Sequence, residues 1–599
     1  MPSYHSGRGC CIIVVVKNKD DFQDIQSLTM RLVKAASVTD SDGEKAFPSF
    51  LKSILLEIPY FKANPDHIIL QEIKNDPKGR YNLFALVRGT GADCVLLTGH
   101  YDVVQTSMYG CLEPWAFDPE GLQAKLLDAS LESDSQEGVS QGLRKDLASG
   151  EFLPGRGVLD MKSGLAAGIS VLSEFSRNCE PGGERSSERR GEQRGNLLFL
   201  AVADEEGSSR GMKAAASRLP GFLEAWGLIP RLAVNLDAAV DQGAGEQGRA
   251  VFTGSVGKAL PFAYFVGRCT HAGAPFDGIN PALMASEFAR EIECNPDALP
   301  EGRGVAEAGS DGLSPAQKHP GTPSKLGEAP SPPTILYFRE TRENYDVTTP
   351  QAVFCALNVL SHTLSPDVII ESLGKLAKTA MESATTLLRK RASSFEERVP
   401  GRFSIPNAKP TVLGFAEFAR RAELASPGIL DNARQLAALR HPDDRVQQSL
   451  EILQTLLPYA AIEGPAAILG FAPPYYPRAE FDQKKHSGIM ITLHRIVDDF
   501  SKEIGKSIRF RPYFPGISDM SFLSFVDNSA QRDYVQGMST IPDSAGADAD
   551  LAPIDCPVIN LGPWGREYHQ LGERVHREYS FRQMPLLLSR LIDAVLRGE

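Results

Sequence analysis

Short unbroken apolar runs and longer runs of helical period alternate through the first part of this chain. Between residues 21 and 57, Ile25, Leu28, Leu32 and Val33 share one helical face, which predicts a helical opening. Asn82 to Val87 reads as a strand, and Asp93 to Leu97 as a buried strand. Leu165 to Phe175 returns to the helical period, and Leu197 to Ala203 is again an unbroken apolar run. Met212 to Leu219 is helical, with Pro220-Gly221 as the predicted stop. Leu232 to Leu236 is a further short strand. Strands alternating with helices predict an α/β fold whose mostly parallel sheet is covered on both faces.

From about residue 255 the texture changes. Ala282 to Ile292 is helical, Thr334 to Phe338 strand-like, Pro366 to Ala392 a long amphipathic helix and Ala466 to Phe471 an apolar strand. A last block, 484–599, reads as helix, strand (Ile508 to Tyr513), helix, strand (Pro557 to Leu561) and helix (Gln583 to Arg597). A chain of 599 residues exceeds what one core holds. We read 20–254 and 479–599 as two parts of one domain, and 255–478 as an α+β domain inserted between them. Three polar stretches, 128–150, 178–195 and 296–333, read as mobile surface loops. The apolar run Cys10 to Val16 is short for a signal sequence and lacks a small-residue cleavage site. It reads as a buried strand or a disordered lead-in. No run is long enough to span a bilayer.

Chemistry gathers where the strands end. Val95 to Leu97 runs into Thr98-Gly99-His100-Tyr101-Asp102. Gly155-Arg156-Gly157-Val158-Leu159 leads to Asp160-Met161-Lys162. Leu197 to Ala203 leads to Asp204-Glu205-Glu206, and Leu232 to Leu236 leads to Asp237. Open α/β sheets carry their reactive groups at the carboxyl ends of strands. A His, an Asp and a Glu pair gathered there form a nitrogen and oxygen donor set suited to a divalent metal such as zinc. Asp102, two residues from His100, projects to the same side and is placed to orient it. Asp160 has two oxygens, so it can bridge two ions; two-metal sites hold them about 3.5–4 Å apart. The competing reading of Asp160 is a cap on the following helix. Adjacent Glu205 and Glu206 point apart, so one can bind metal while the other faces the attacking water. His271, in Thr270-His271-Ala272-Gly273, reads either as a turn histidine or as a donor to a developing oxyanion. A second ion needs a late ligand; His569 is the candidate and His576, on a charged and solvated stretch, the reserve.

Charge and cysteine content narrow the classes. A net charge of -12 argues against a nucleic-acid surface. Nine cysteines at irregular spacing, with no CxxC, argue against a disulfide framework and fit a reducing, cytoplasmic setting. No Gly-x-Ser-x-Gly elbow supports a serine hydrolase. Gly254-Ser255-Val256-Gly257-Lys258 fails the P-loop pattern, because Phe252 and Ala259 stand where a Gly and a Ser or Thr are needed.

The motifs His100-x-Asp102, Gly157-x-x-Asp160-x-Lys162, Glu205-Glu206 and His271-Ala272-Gly273, in this order, resemble the M20 family of metallopeptidases and deacylases. Thr253 to Lys258, Ala472 to Pro477, Tyr513 to Met520 and Gly562-Pro563-Trp564-Gly565 resemble the arginine-utilisation, or RocB, branch of that family. The resemblance implies a phosphorylase/hydrolase-like catalytic domain of the zinc-peptidase type, with an inserted lid that mediates homodimerisation. It implies two divalent ions, zinc foremost and cobalt or manganese otherwise. Their ligands would be His100, Asp160, Glu206, Asp237 and His569, with Asp160 bridging. Glu205 would be the general base, Asp102 the brace of His100, and His271 would reach the partner subunit's site. The implied substrate is a small peptide or N-acyl amino acid, with arginine-pathway metabolites suggested by the branch. The non-enzyme alternative is an inactive relative that binds a metabolite or acts as a scaffold.

Overall fold

The computed structural model describes residues 19–128, 140–179, 194–300, 330–342, 346–399, 406–442, 444–482, 485–542 and 554–598. The Cys10 to Val16 run and much of the three polar stretches lie outside these residues.

Eight strands form the main sheet, in the spatial order Ile68–Glu72, Tyr81–Val87, Arg194–Val202, Thr90–His100, Ile229–Asn235, Val558–Asn560, Ala250–Phe252 and Arg509–Arg511. The central four, from Arg194–Val202 to Val558–Asn560, run parallel. An antiparallel hairpin closes one side. The short strands after Val558–Asn560 close the other.

The strands read as unbroken apolar runs because both faces are buried. Val95 and Leu97 face a core built with the helices Ser163–Cys179 and Met584–Arg597. Cys94 and Leu96 face the other core, built with the helix Arg210–Trp226. Each fully buried Leu or Val contributes roughly 1.5–3 kcal/mol. Register then decides the rim. His100 lies level with Val202, and Thr98 level with Asn235. The residues that follow these strands therefore emerge together at one edge.

A second sheet of five strands has the order Thr334–Glu340, Ala352–Ser361, Gly257–Val266, Ala466–Tyr476 and Thr411–Gly414. It is antiparallel except for its last pair. Pro281–Ile292 and Pro366–Glu396 cover one face. Phe415–Ala425, Ile429–Arg440 and Arg445–Leu456 cover the other. The chain passes between the two sheets twice, and the crossings pair with each other: Gly254–Ser255 runs antiparallel to Ala479–Glu480.

The helical opening forms, and three local expectations need correction. The opening is two helices, Lys19–Lys34 and Asp42–Leu55, parted by a segment in which Val38 bridges to Val103. Ser41 starts the second by accepting from the Glu44 amide at 3.2 Å. The helix Arg210–Trp226 runs through Pro220, whose ring is exposed. It ends at Gly227, in the left-handed conformation with φ 64°. Within 128–150, Gln141–Ala148 is a helix capped by Ser140, not a loop. His576 is buried, stacked on Trp564 with ring centroids 4.4 Å apart, and not solvated.

No disulfide forms among the described cysteines. Among the described residues, no helix is long and apolar enough to cross a membrane.

Candidate metal centre

Three strand ends, one turn and one late loop supply the centre. His100 is the last residue of its strand and is buried. Asp160 sits in the irregular turn Val158–Lys162, reached through Gly157 at φ 75°. A side chain on Gly157 would strike Val103 at 2.5 Å, so this turn needs glycine twice over. Asp204, with φ 64°, turns the chain sharply after the strand Arg194–Val202 and presents Glu205 and Glu206. Asp237 follows Ile229–Asn235. Its amide donates to the Asn560 side chain at 3.2 Å, and the Asn560 amide group donates back to its carbonyl at 2.9 Å. His569 lies in the loop between Trp564–Arg566 and Arg574–His576, beside the Tyr568 ring.

The two oxygens of Asp160 divide between two histidines. Its Oδ1 is 3.0 Å from His100 Nε2, and its Oδ2 is 3.1 Å from His569 Nε2. Asp237 Oδ1 is 3.9 Å from His100 Nε2. Glu206 Oε1 is 2.9 Å from His569 Nε2. Two donor groups result: His100, Asp160 and Asp237, and Asp160, Glu206 and His569, each with its ligand atoms within 4.8 Å of one another. Ligands about 2.0–2.2 Å from a tetrahedral zinc are roughly 3.3–3.6 Å apart. Small side-chain shifts bring either group to that spacing, and nitrogen with carboxylate oxygen is a zinc-type donor set. Asp160 does not cap the following helix; both its oxygens face the histidines.

The His100 ring is oriented from behind. Its Nδ1 meets the Asp102 carbonyl at 3.0 Å, with the Asp102 carboxylate farther, at 3.6 Å. That carboxylate is occupied elsewhere: it accepts from the Glu205 and Glu206 amides at 3.1 and 3.2 Å, and from the Thr39 hydroxyl at 3.0 Å. Asp102 thus braces the ring through its backbone and the Glu pair through its side chain. Lys162 is buried, donating to the Ala35 carbonyl at 2.7 Å, and belongs to neither donor group. His271 also stands outside them. It is exposed, and its Nδ1 accepts from the Gly273 amide.

Sequence patterns assigned no role to several residues around the centre. Arg80 and Arg156 are fully buried and paired with Glu44 and Glu573. Asp519 is buried, and burial pushes it up to about 7. A turn such as Pro515-Gly516-Ile517-Ser518-Asp519 carries no local mark of a neighbour from another strand end.

Electrostatics follow from crowding carboxylates out of water. Burial raises Glu205 well above the ordinary range; His100 pulls it down, while Asp519, Glu206 and Asp237 push it further up. Burial and Asp160 raise Asp237 to about 8. Burial opposes charge on both imidazoles, yet the Asp102 and Asp160 carboxylates beside His100 hold it well above the usual range. Asp160 and Glu206 raise His569 to about 10. Asp160 is correspondingly lowered, against its burial, by His100 and His569. His576 is lowered to about 4 by burial and nearby cations.

In the metal-free site, burial of Asp237 and the pairing of both histidines with carboxylates therefore favour their protonated forms. A divalent cation held by these groups would need them deprotonated and would displace the protons. Metal affinity is expected to rise with pH through the range of about 8 to 10 set by Asp237 and His569. Calorimetric titration in buffers of different ionisation heat should show proton release, and a heat independent of buffer would contradict it.

The sequence matches the profile of Peptidase family M20/M25/M40 over residues 134–593. The chain belongs to this family. Its fold is that of an M20 peptidase-type hydrolase. This family member is 31% identical to the uncharacterized protein YqjN of Bacillus subtilis (strain 168), over 96% of each chain. It is 28% identical to Protein RocB of the same organism, over 97% of each. An M20 family metallo-carboxypeptidase, Sso-CP2 from Sulfolobus solfataricus, aligns in structure at TM-score 0.49 and 11% identity, covering 96% of this chain and 99% of that one.

Proposed function

We propose that the chain is a metal-dependent hydrolase cleaving an amide or peptide bond in a small peptide or N-acyl amino acid. The observation that carries this reading is the split of the Asp160 oxygens between His100 and His569, at 3.0 and 3.1 Å. His100, Asp160 and Asp237 would hold one divalent ion, and Asp160, Glu206 and His569 the other. When bound, such ions polarise a carbonyl and lower the pKa of a water near them. Zinc suits the donors best, with cobalt and manganese as alternatives.

Glu205 is the general base. It takes a proton from the attacking water and returns it to the leaving amine. Its burial favours the protonated state it must reach between these steps. Asp102 keeps Glu205 and Glu206 apart in orientation by holding both amides. His271 is exposed on the inserted domain, which is compatible with an oxyanion donor acting in a partner subunit of a homodimer. Arginine derivatives are the first acyl amino acids to test, on the branch resemblance.

Chelation is the direct test. Dialysis against a strong chelator is expected to abolish hydrolysis of N-acyl amino acids and dipeptides, and two equivalents of zinc to restore it. Undiminished hydrolysis by metal-free protein would sink the proposal. Stoichiometric metal without hydrolysis of any such compound would favour the binding or scaffold role instead.

A further inference from the structure

Both turns that present the candidate ligands hang from buried carboxylates that the ligand set does not use. At the first turn, Glu573 Oε1 accepts from the Leu159 and Asp160 amides at 3.2 and 3.3 Å. Its Oε2 meets Arg156 at 2.5 Å, and both partners are buried. At the second, Glu44 Oε1 accepts from the Asp204 amide at 2.9 Å. Glu44 meets Arg80 at 3.0 Å, and both side chains are fully buried. Arg80 also grips the Asp204 carboxylate at 2.9 Å and Asp76 at 2.7 Å.

We propose that Glu573–Arg156 and Glu44–Arg80 are separate positioning devices for the two parts of the centre. Glu573 sets Asp160, which both ions share; Glu44 sets only the Asp204–Glu206 turn, which serves one ion. The proposal rests on the two-ion reading above.

The physical reason lies in the amides. With Asp204 in the left-handed conformation, the amides of 204, 205 and 206 are all taken by buried carboxylates, Glu44 for the first and Asp102 for the others. One carboxylate accepts several donors at once, which a single carbonyl does less well. A further negative charge beside Asp160, Asp237, Glu205 and Glu206 would be repelled. A buried guanidinium offsets it without competing for the ions, since arginine has no acceptor and offers donors in a rigid fork. The two pairs come from unrelated parts of the chain: one joins the helix Asp42–Leu55 to the residue before strand Tyr81–Val87, the other joins Gly155-Arg156-Gly157 to the loop after His569. They can therefore be broken one at a time.

A merely structural ion pair lowers stability on removal but does not separate the two ions. The experiment is calorimetric titration of zinc into metal-free full-length wild type, Glu44→Gln and Glu573→Gln, with cobalt absorption as a second readout. In Glu44→Gln, one binding step is expected to stay within about twofold of wild type and the other to weaken about 10- to 100-fold, as for residues that orient metal ligands. In Glu573→Gln, both steps weaken. If a glutamine variant does not fold, Glu44→Asp or Glu573→Asp, which keeps the charge and shortens the reach, is read by the same pattern. Two unaltered steps, or equal weakening of both in the Glu44 variant, would overturn the positioning proposal while leaving the two-ion reading intact. Fewer than two ions in wild type would overturn both.

Discussion

Glu205→Gln is expected to lower turnover by about 10²- to 10⁴-fold, the range a general base contributes, while metal content stays at the wild-type level. The substitution keeps the size of the side chain and removes its ability to take a proton. Glu205 belongs to neither donor group, so the ions lose no ligand. Its backbone is held independently, by the Asp102 carboxylate at 3.1 Å, so the turn keeps its shape. The measurement is kcat on a dipeptide or N-acyl amino acid alongside metal analysis of the same sample. A variant with full activity would remove Glu205 from the mechanism. A variant that has lost its metal would make Glu205 a ligand rather than a base.

The second large effect is expected at Asp160. Asp160→Asn leaves one carbonyl oxygen where two anionic oxygens faced two histidines. The amide nitrogen cannot ligate, so at least one ion loses a donor outright, and both lose the shared charge. Metal content is expected to fall below one ion per chain after dialysis, and hydrolysis to reach background. The loss of affinity should exceed the about 10- to 100-fold seen on removing a residue that merely orients a ligand. Retention of two ions would show that Asp160 does not bridge. Asp160 also helps hold His569 up at about 10, so titration of that ring should move toward the ordinary histidine range in the metal-free variant. Nuclear magnetic resonance of the ring reads that shift without reference to activity.

Local pattern was a sound guide wherever one physical cause acted alone. The stretch 94–97 of the strand Thr90–His100 is legible because both faces are buried there, leaving no polar position inside it. It failed where two local rules competed. Pro220-Gly221 reads as a helix stop, yet only one amide hydrogen bond is lost there, on the exposed side, and Leu219 and Leu223 on the buried face carry the helix onward. His576 reads as solvated beside Arg574 and Arg577, but its strand turns it inward against Phe152 and Trp564. The Glu44 carboxylate accepts locally from the Asp40 amide at 2.7 Å and also reaches the Asp204 amide, 160 residues away in sequence.

From the sequence alone came the α/β class, the mostly parallel sheet and a short set of acidic residues and histidines placed just after strands. Those features are written in consecutive residues, because strand period, turn chemistry and burial are short-range properties of the chain. Only the tertiary structure decided which of those side chains meet. It brought His569 onto Asp160 and Glu206, left His271 on the surface, and placed Arg80, Arg156, Glu44 and Glu573 beneath the turns. Such meetings depend on sheet register and on contacts between segments hundreds of residues apart, and no local spacing encodes them.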